Sequence, residues 1–135
     1  MNQTDVEAFV TGLENVQQTE NFGYLFYFVG DDHMLPFVTI ANSDNDYDNV
    51  SHLDREGVFR VNIGVSRETF DKLIGEYDSE AVDYSALNVF LPHPDYAKQN
   101  WVCILSPSGD HVERLKALIV EAHSIAAVRW QRKGK

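Results

Sequence analysis

One cysteine, few cations and no long apolar run mark this chain of 135 residues. With Cys103 alone, no intrachain disulfide can form, so the fold rests on packing and hydrogen bonds. Cys103 lies in the apolar run Trp101-Val102-Cys103-Ile104-Leu105 and reads as a buried structural thiol, since reactive thiols need exposure and a cationic neighbour. The longest apolar runs fall far short of the roughly 18 residues that a membrane span requires. Met1 to Glu7 offers neither a basic n-region nor an apolar h-region, so no secretory signal is expected and a cytoplasmic protein is the simple reading. Also missing are Gly-rich phosphate loops, a nucleophile elbow around Ser85, Ser106 or Ser108, and any HxxxH, HExxH or CxxC spacing. No metal and no cofactor is therefore expected.

Cations are scarce and unevenly placed. Against 21 acids stand 11 Lys and Arg, a formal charge of −10. Residues 1–41 hold six acids and no Lys or Arg, and residues 42–95 hold twelve acids against four arginines and lysines. Only residues 111–135 are basic, with six cations against two acids. An acidic body repels phosphate backbones, so nucleic acid is an unpromising partner. The basic end suits a helix C-terminus, where cations favour the helix dipole.

What is present is an ordinary globular composition, 44% hydrophobic and 24% charged. At this length it reads as a single domain, residues 1–135, with a packed core. Thr4-Asp5-Val6-Glu7 has the capping-box form, and Val6, Phe9, Val10 and Leu13 follow at helical spacing, so a first helix is expected from about Asp5 to Leu13. Residues 23–29 and 36–40 read as two strands of an antiparallel hairpin, and 42–49 as a polar loop. A strand at 58–65, a short helix capped by Ser66 and ended by Gly75, and a strand at 101–105 come next. Residues 76–100 are expected as loop with a turn of helix. A final helix opening at Asp110 carries the stripe Val112, Leu115, Leu118, Ile119, Ala122, Ile125 and Ala126. The fold class is α+β: an antiparallel sheet of four or five strands with both terminal helices on one face.

Strand alternation supplies the functional hint. Phe59, Val61, Ile63 and Val65 share one face of the strand at 58–65, and Val58, Arg60 and Asn62 share the other. The apolar face suits the helices. The Arg60 face either stays open, as a groove for a small ligand or protein partner, or is covered by loops 42–57 and 76–100 as a second small core. An arginine there needs an anion, either Asp54 or Asp95 or a ligand carboxylate or phosphate. His93, stiffened between Pro92 and Pro94 and followed by Asp95 and Tyr96, is the histidine best placed for a general base; its structural alternative is a hydrogen bond to loop backbone. The candidate binding residues are thus Arg60, Asn62, His93, Tyr96 and Asp54. Asp44-Asn45-Asp46-Tyr47-Asp48 imitates the opening of a calcium loop, but Asn49 replaces the turn glycine and Arg55 the twelfth-position glutamate. It reads as a solvated acidic loop. A binding module is the first reading, an enzyme using His93, Asp95 and Tyr96 with Arg60 the second, and a weak nucleic-acid binder the third.

Leu53–Val65 (LDREGVFRVNIGV), Arg67–Gly75, Leu91–Val102 (LPHPDYAKQNWV) and Leu118–Arg129 (LIVEAHSIAAVR), with Met34–Ile40, together resemble a bacterial family known only as a domain of unknown function. More remotely, the order of elements is similar to MmcQ/YjbR-like domains, with Trp101 at the entry of the last strand. Both resemblances imply a compact α+β domain with its helices on one side of the sheet. Neither supplies an activity.

Overall fold

The computed structural model describes residues 1–133. Its elements run α1 (Gln3–Thr11), β1 (Val16–Asn21), β2 (Tyr24–Val29), β3 (Val38–Ala41), β4 (Arg60–Gly64), α2 (Arg67–Leu73), β5 (Phe90–Pro92), β6 (Trp101–Leu105) and α3 (His111–Lys133). The six strands form one antiparallel sheet in the order β1-β2-β3-β4-β6-β5. The fold is α+β as expected, with two more elements in the sheet than the hydrophobic pattern reveals.

The first addition is β1, whose sequence Val-Gln-Gln-Thr-Glu-Asn has no apolar face. It joins β2 through Phe22-Gly23, both at positive φ (52° and 82°), the backbone a two-residue hairpin turn requires. The second is β5, only three residues long and ending in Pro92. Proline is tolerated there because β5 is the edge of the sheet. The expected turn of helix in this region is a 3-10 turn at Ala97–Gln99.

The first helix starts earlier than the Thr4 capping box implies. Asn2 is the cap: its side chain accepts from the Asp5 amide, and the Asp5 carboxylate accepts from the Asn2 amide, both at 2.9 Å. Asn is at least as good a cap as Thr, and its Asp partner at the third position closes the same reciprocal pair. Ser66 does cap α2, and Glu121 of α3 receives the Ser66 amide and the Thr69 hydroxyl, locking the two helices together.

The main core lies between the sheet and the helices. Phe59, Val61, Ile63 and Val65 point into it, as their alternation predicts, and meet Val6 and Val10 of α1 and Leu115, Leu118, Ile119, Ala122 and Ala126 of α3. Ile125, expected in that stripe, is instead 39% exposed. The opposite face carries a smaller core of Ala41, Leu53, Leu91, Cys103 and Leu105, with Val58 and Val82 packed against it. That second core covers only part of the face.

Candidate functional site

Pair register aligns the polar face in rows. Tyr24, Ala41, Arg60 and Leu105 sit side by side across β2, β3, β4 and β6; Phe26, Thr39, Asn62 and Cys103 form the next row. In the first row Ala41 has only a methyl group between two long side chains. The carboxylate of Asp48, brought by the loop that follows β3, joins the two residues flanking that alanine.

Arg60 is 1% exposed and commits four of its five hydrogens to protein acceptors. Its Nη1 and Nη2 donate to the two oxygens of Asp48 at 3.0 and 2.6 Å, Nη1 also donates to the Ser51 hydroxyl at 2.9 Å, and Nε donates to Asn62 Oδ1 at 2.8 Å. The Tyr24 hydroxyl donates to Asp48 at 2.7 Å and accepts from Asn45. A planar guanidinium matched to a carboxylate by two parallel bonds is the strong form of this pair. Burial pushes the Asp48 carboxyl up, but Arg60 and the Tyr24 hydroxyl outweigh it and hold the group below the usual carboxylate range. Burial lowers and Asp48 raises the Arg60 pKa, with the net shift upward. The counter-ion is therefore Asp48, neither Asp54 nor Asp95. Asp54 is exposed and caps the Asp44 amide at 3.1 Å. The loop read as wholly solvated sends one acid inward, while Asp46 and Tyr47 stay outside.

Asn62 is oriented by this pair. Since Arg60 can only donate, Asn62 Oδ1 must face it, which turns Nδ2 to the Thr39 hydroxyl at 2.9 Å. Beside it, His93 is 5% exposed. Its Nδ1 accepts two backbone amides, Asp95 at 3.0 Å and Tyr96 at 3.1 Å, because the His-Pro-Asp-Tyr turn folds both N–H groups back toward the ring. That fixes the tautomer: Nδ1 is the acceptor and Nε2 carries the proton. Among the described residues no acceptor lies within hydrogen-bond distance of Nε2. Burial foremost, and the Arg60 charge after it, lowers the imidazole pKa to about 3, against the opposing pull of Asp48. The ring stays neutral at ordinary pH.

These groups floor a cavity of about 810 Å³. Phe26, Tyr96 and Trp101 wall it, and Arg129 and Ile125 of α3 reach it past the strand ends at Phe37 and Val65. Trp101 lies against Gly64, its cross-strand neighbour, so closely that a Cβ there would sit 3.0 Å from Cε2 of the indole. The glycine lets the indole lie on the sheet and leaves the volume above the Asn62 row unfilled.

Four of the five candidate residues, Arg60, Asn62, His93 and Tyr96, border this cavity, and Asp54 does not. Asp95 borders it too and is exposed. Sequence reasoning missed Asp48, Thr39 and the wall role of Trp101. Thr39 had a signal, a lone polar position between Val38 and Ile40; nothing in the loop distinguishes Asp48 from Asp44 or Asp46. The other histidines are dispersed: His33 stacks on Phe28 and bonds Gln17, His111 bonds Asn88, His123 bonds the Glu14 carbonyl, and His52 is exposed. Among the described residues no three His, Cys, Asp or Glu side chains gather as metal ligands. No helix among them is long and apolar enough to cross a membrane. Cys103 is buried and its thiol is pushed up to about 12, chiefly by burial, as an unreactive side chain should be.

No curated protein and no solved structure matches the chain. A family model does, over residues 1–135, in line with the expected membership of a family of unknown function. The chain belongs to the DUF6194 family, a family of unknown function.

Proposed function

We propose that this domain is a small-molecule binding module acting in the cytoplasm, with the cavity over the Arg60–Asn62 face as its site. The observation that carries this reading is the imidazole N–H of His93, fixed in orientation and without a protein acceptor, on a residue only 5% exposed that borders an 810 Å³ cavity. The N–H opens onto the cavity, where a ligand acceptor would make a hydrogen bond worth about 0.5–1.5 kcal/mol net. Volumes of about 300–1,000 Å³ with aromatic walls and a few fixed polar groups are typical of small-ligand sites.

The enzyme reading loses its base. A general base needs a free lone pair near neutral pKa. The only lone pair of the neutral His93 ring is held by two backbone amides, and the pKa of about 3 lies far from working pH. Arg60 is likewise spent on Asp48 and not waiting for an anion. The nucleic-acid reading is opposed by the charge of −10. A fragment screen followed by amide and indole chemical shifts tests the proposal. Fragments should move the Trp101 indole N–H, the Asn62 side-chain amide and Gly64 as one group. A chemically diverse library whose hits all map elsewhere, or that gives none, overturns it.

A further inference from the structure

Resting on that reading, the chemistry of the floor narrows the ligand. Every buried polar group bordering the cavity can be counted for unused hydrogen-bonding capacity. His93 offers Nε2–H and nothing else. Asn62 has spent its oxygen on Arg60 and one Nδ2 hydrogen on Thr39, leaving one N–H. The Thr39 oxygen accepts from Asn62, leaving its own O–H to donate. Arg60 has committed four of its five hydrogens, to Asn62, Ser51 and twice to Asp48. Asp48, the one buried carboxylate at hand, accepts three bonds from Arg60 and Tyr24. The hydrogens of His93, Asn62 and Thr39 remain to donate, while every acceptor oxygen among these groups already holds at least one protein donor and keeps at most a second lone pair.

Arg60 and Asp48 cancel at 2.6 Å on the floor, and Arg129 and Asp95 add one charge of each sign to the lining, so the site as a whole presents no net charge for a charged ligand to answer. The walls are flat. The His93 ring lies 5.0 Å from Tyr96 and 6.5 Å from Trp101, centre to centre, with Phe26 beyond Thr39 in the Asn62 row. We infer that the site takes an uncharged, planar, ring-bearing molecule with carbonyl or ring-nitrogen acceptors along one edge, set against the His93, Asn62 and Thr39 donors. A hydrogen-bonding site discriminates against isosteres that leave its donors unpaired, so loss of the acceptor should weaken binding at least about tenfold.

The test is a titration of the full chain with five probes of similar ring size, followed by amide shifts and by long-range ¹H–¹⁵N spectra of the imidazoles. The probes are 1-indanone and quinoline as neutral acceptors, indane without polar atoms, indole as donor only, and 1-naphthoate as an anion. Expected are binding of indanone and quinoline at the cavity at least about tenfold tighter than indane and indole, with the His93 Nε2 resonance moving and Nδ1 nearly still. Indane or indole binding as tightly as indanone overturns the donor floor. Naphthoate binding tightest overturns neutrality. If the ring probes fail to enter while fragments of other chemistry do, the ligand class is wrong and the binding reading stands; if nothing of any chemistry enters, the binding reading itself falls. Thr39→Val, nearly equal in volume, should narrow the preference of indanone over indane, and an unchanged ratio would remove Thr39 from the set.

Discussion

The two faces of one sheet are closed by different physics. On the helix face, Phe59, Val61 and Ile63 meet α1 and α3 in a continuous apolar core. On the loop face, positions two residues apart on the same strand hold Arg60 and Asn62, and closure depends on Asp48 arriving from a loop. Apolar packing fills space because every contact adds attraction in all directions. An ion pair is directional: it ties the loop down at one point and leaves the volume beside it open. The difference teaches where a cavity can persist without collapsing. Rigid polar anchors and a glycine under Trp101 hold it, whereas an apolar lining alone would repack.

The comparison can be broken first by pH. The usual histidine value is 6.5, and folding lowers His93 to about 3. The unfolded chain then takes up a proton that the folded chain refuses, so this contribution to stability is complete above about pH 6.5 and is lost as pH falls towards about 3. At full development the effect is about 5 kcal/mol. Urea unfolding across that range should show the loss. Its signature is local: a Phe59→Ala variant should keep the same pH slope, and His93→Gln should flatten it. A slope unchanged in His93→Gln would mean the imidazole is not held neutral by burial.

A somewhat smaller effect separates the faces by mutation. Phe59→Ala should cost about 3–5 kcal/mol through lost burial and a cavity. Asp48→Ala should also cost about 3–5 kcal/mol, because it strands a buried guanidinium. Double replacement then tells them apart. Arg60→Met with Asp48→Leu should recover most of the loss, since paired charges can be exchanged for apolar groups of similar volume. No second substitution nearby should rescue Phe59→Ala. If the double variant is as unstable as Asp48→Ala, closure of the loop face depends on the charges themselves.

The same contrast explains what the sequence disclosed. A strand with one buried face announces itself by period two, so Phe59, Val61, Ile63 and Val65 were legible, and so were the Cys103 run and most of the α3 stripe. Where burial is not what makes the strand, the pattern is silent. β1 is held by backbone pairing to β2 and a positive-φ turn at Phe22-Gly23, and its six residues show no apolar alternation. β5 is three residues ending in proline. The candidate cavity was half legible for the same reason. Polar residues on a strand, Arg60 and Asn62, stand out against their apolar neighbours. A loop aspartate does not, because sequence alone does not say which of Asp44, Asp46 and Asp48 turns inward. His93 was singled out by its flanking prolines, but its role as a fixed donor needed the two amides on Nδ1.

The smallest expected effect is that of calcium, and it tests whether the loop's charge is already satisfied. Calcium loops offer carboxylates at alternate positions around one centre. Here the alternate side chains diverge. Asp44 accepts the Leu53 amide at 2.8 Å, Asp46 is exposed to solvent, and Asp48 faces the sheet with both oxygens on Arg60. To bind calcium the chain would have to withdraw Asp48 and leave Arg60 buried and unpaired, a loss of about 3–5 kcal/mol. Calcium at a hundred times its dissociation constant returns only about 2.7 kcal/mol. Millimolar calcium should therefore leave the Tm of the wild-type chain unchanged in a thermal melt. A rise of several degrees would show that the loop releases Asp48 readily, and the loop face would then be closed by something other than the Arg60–Asp48 pair.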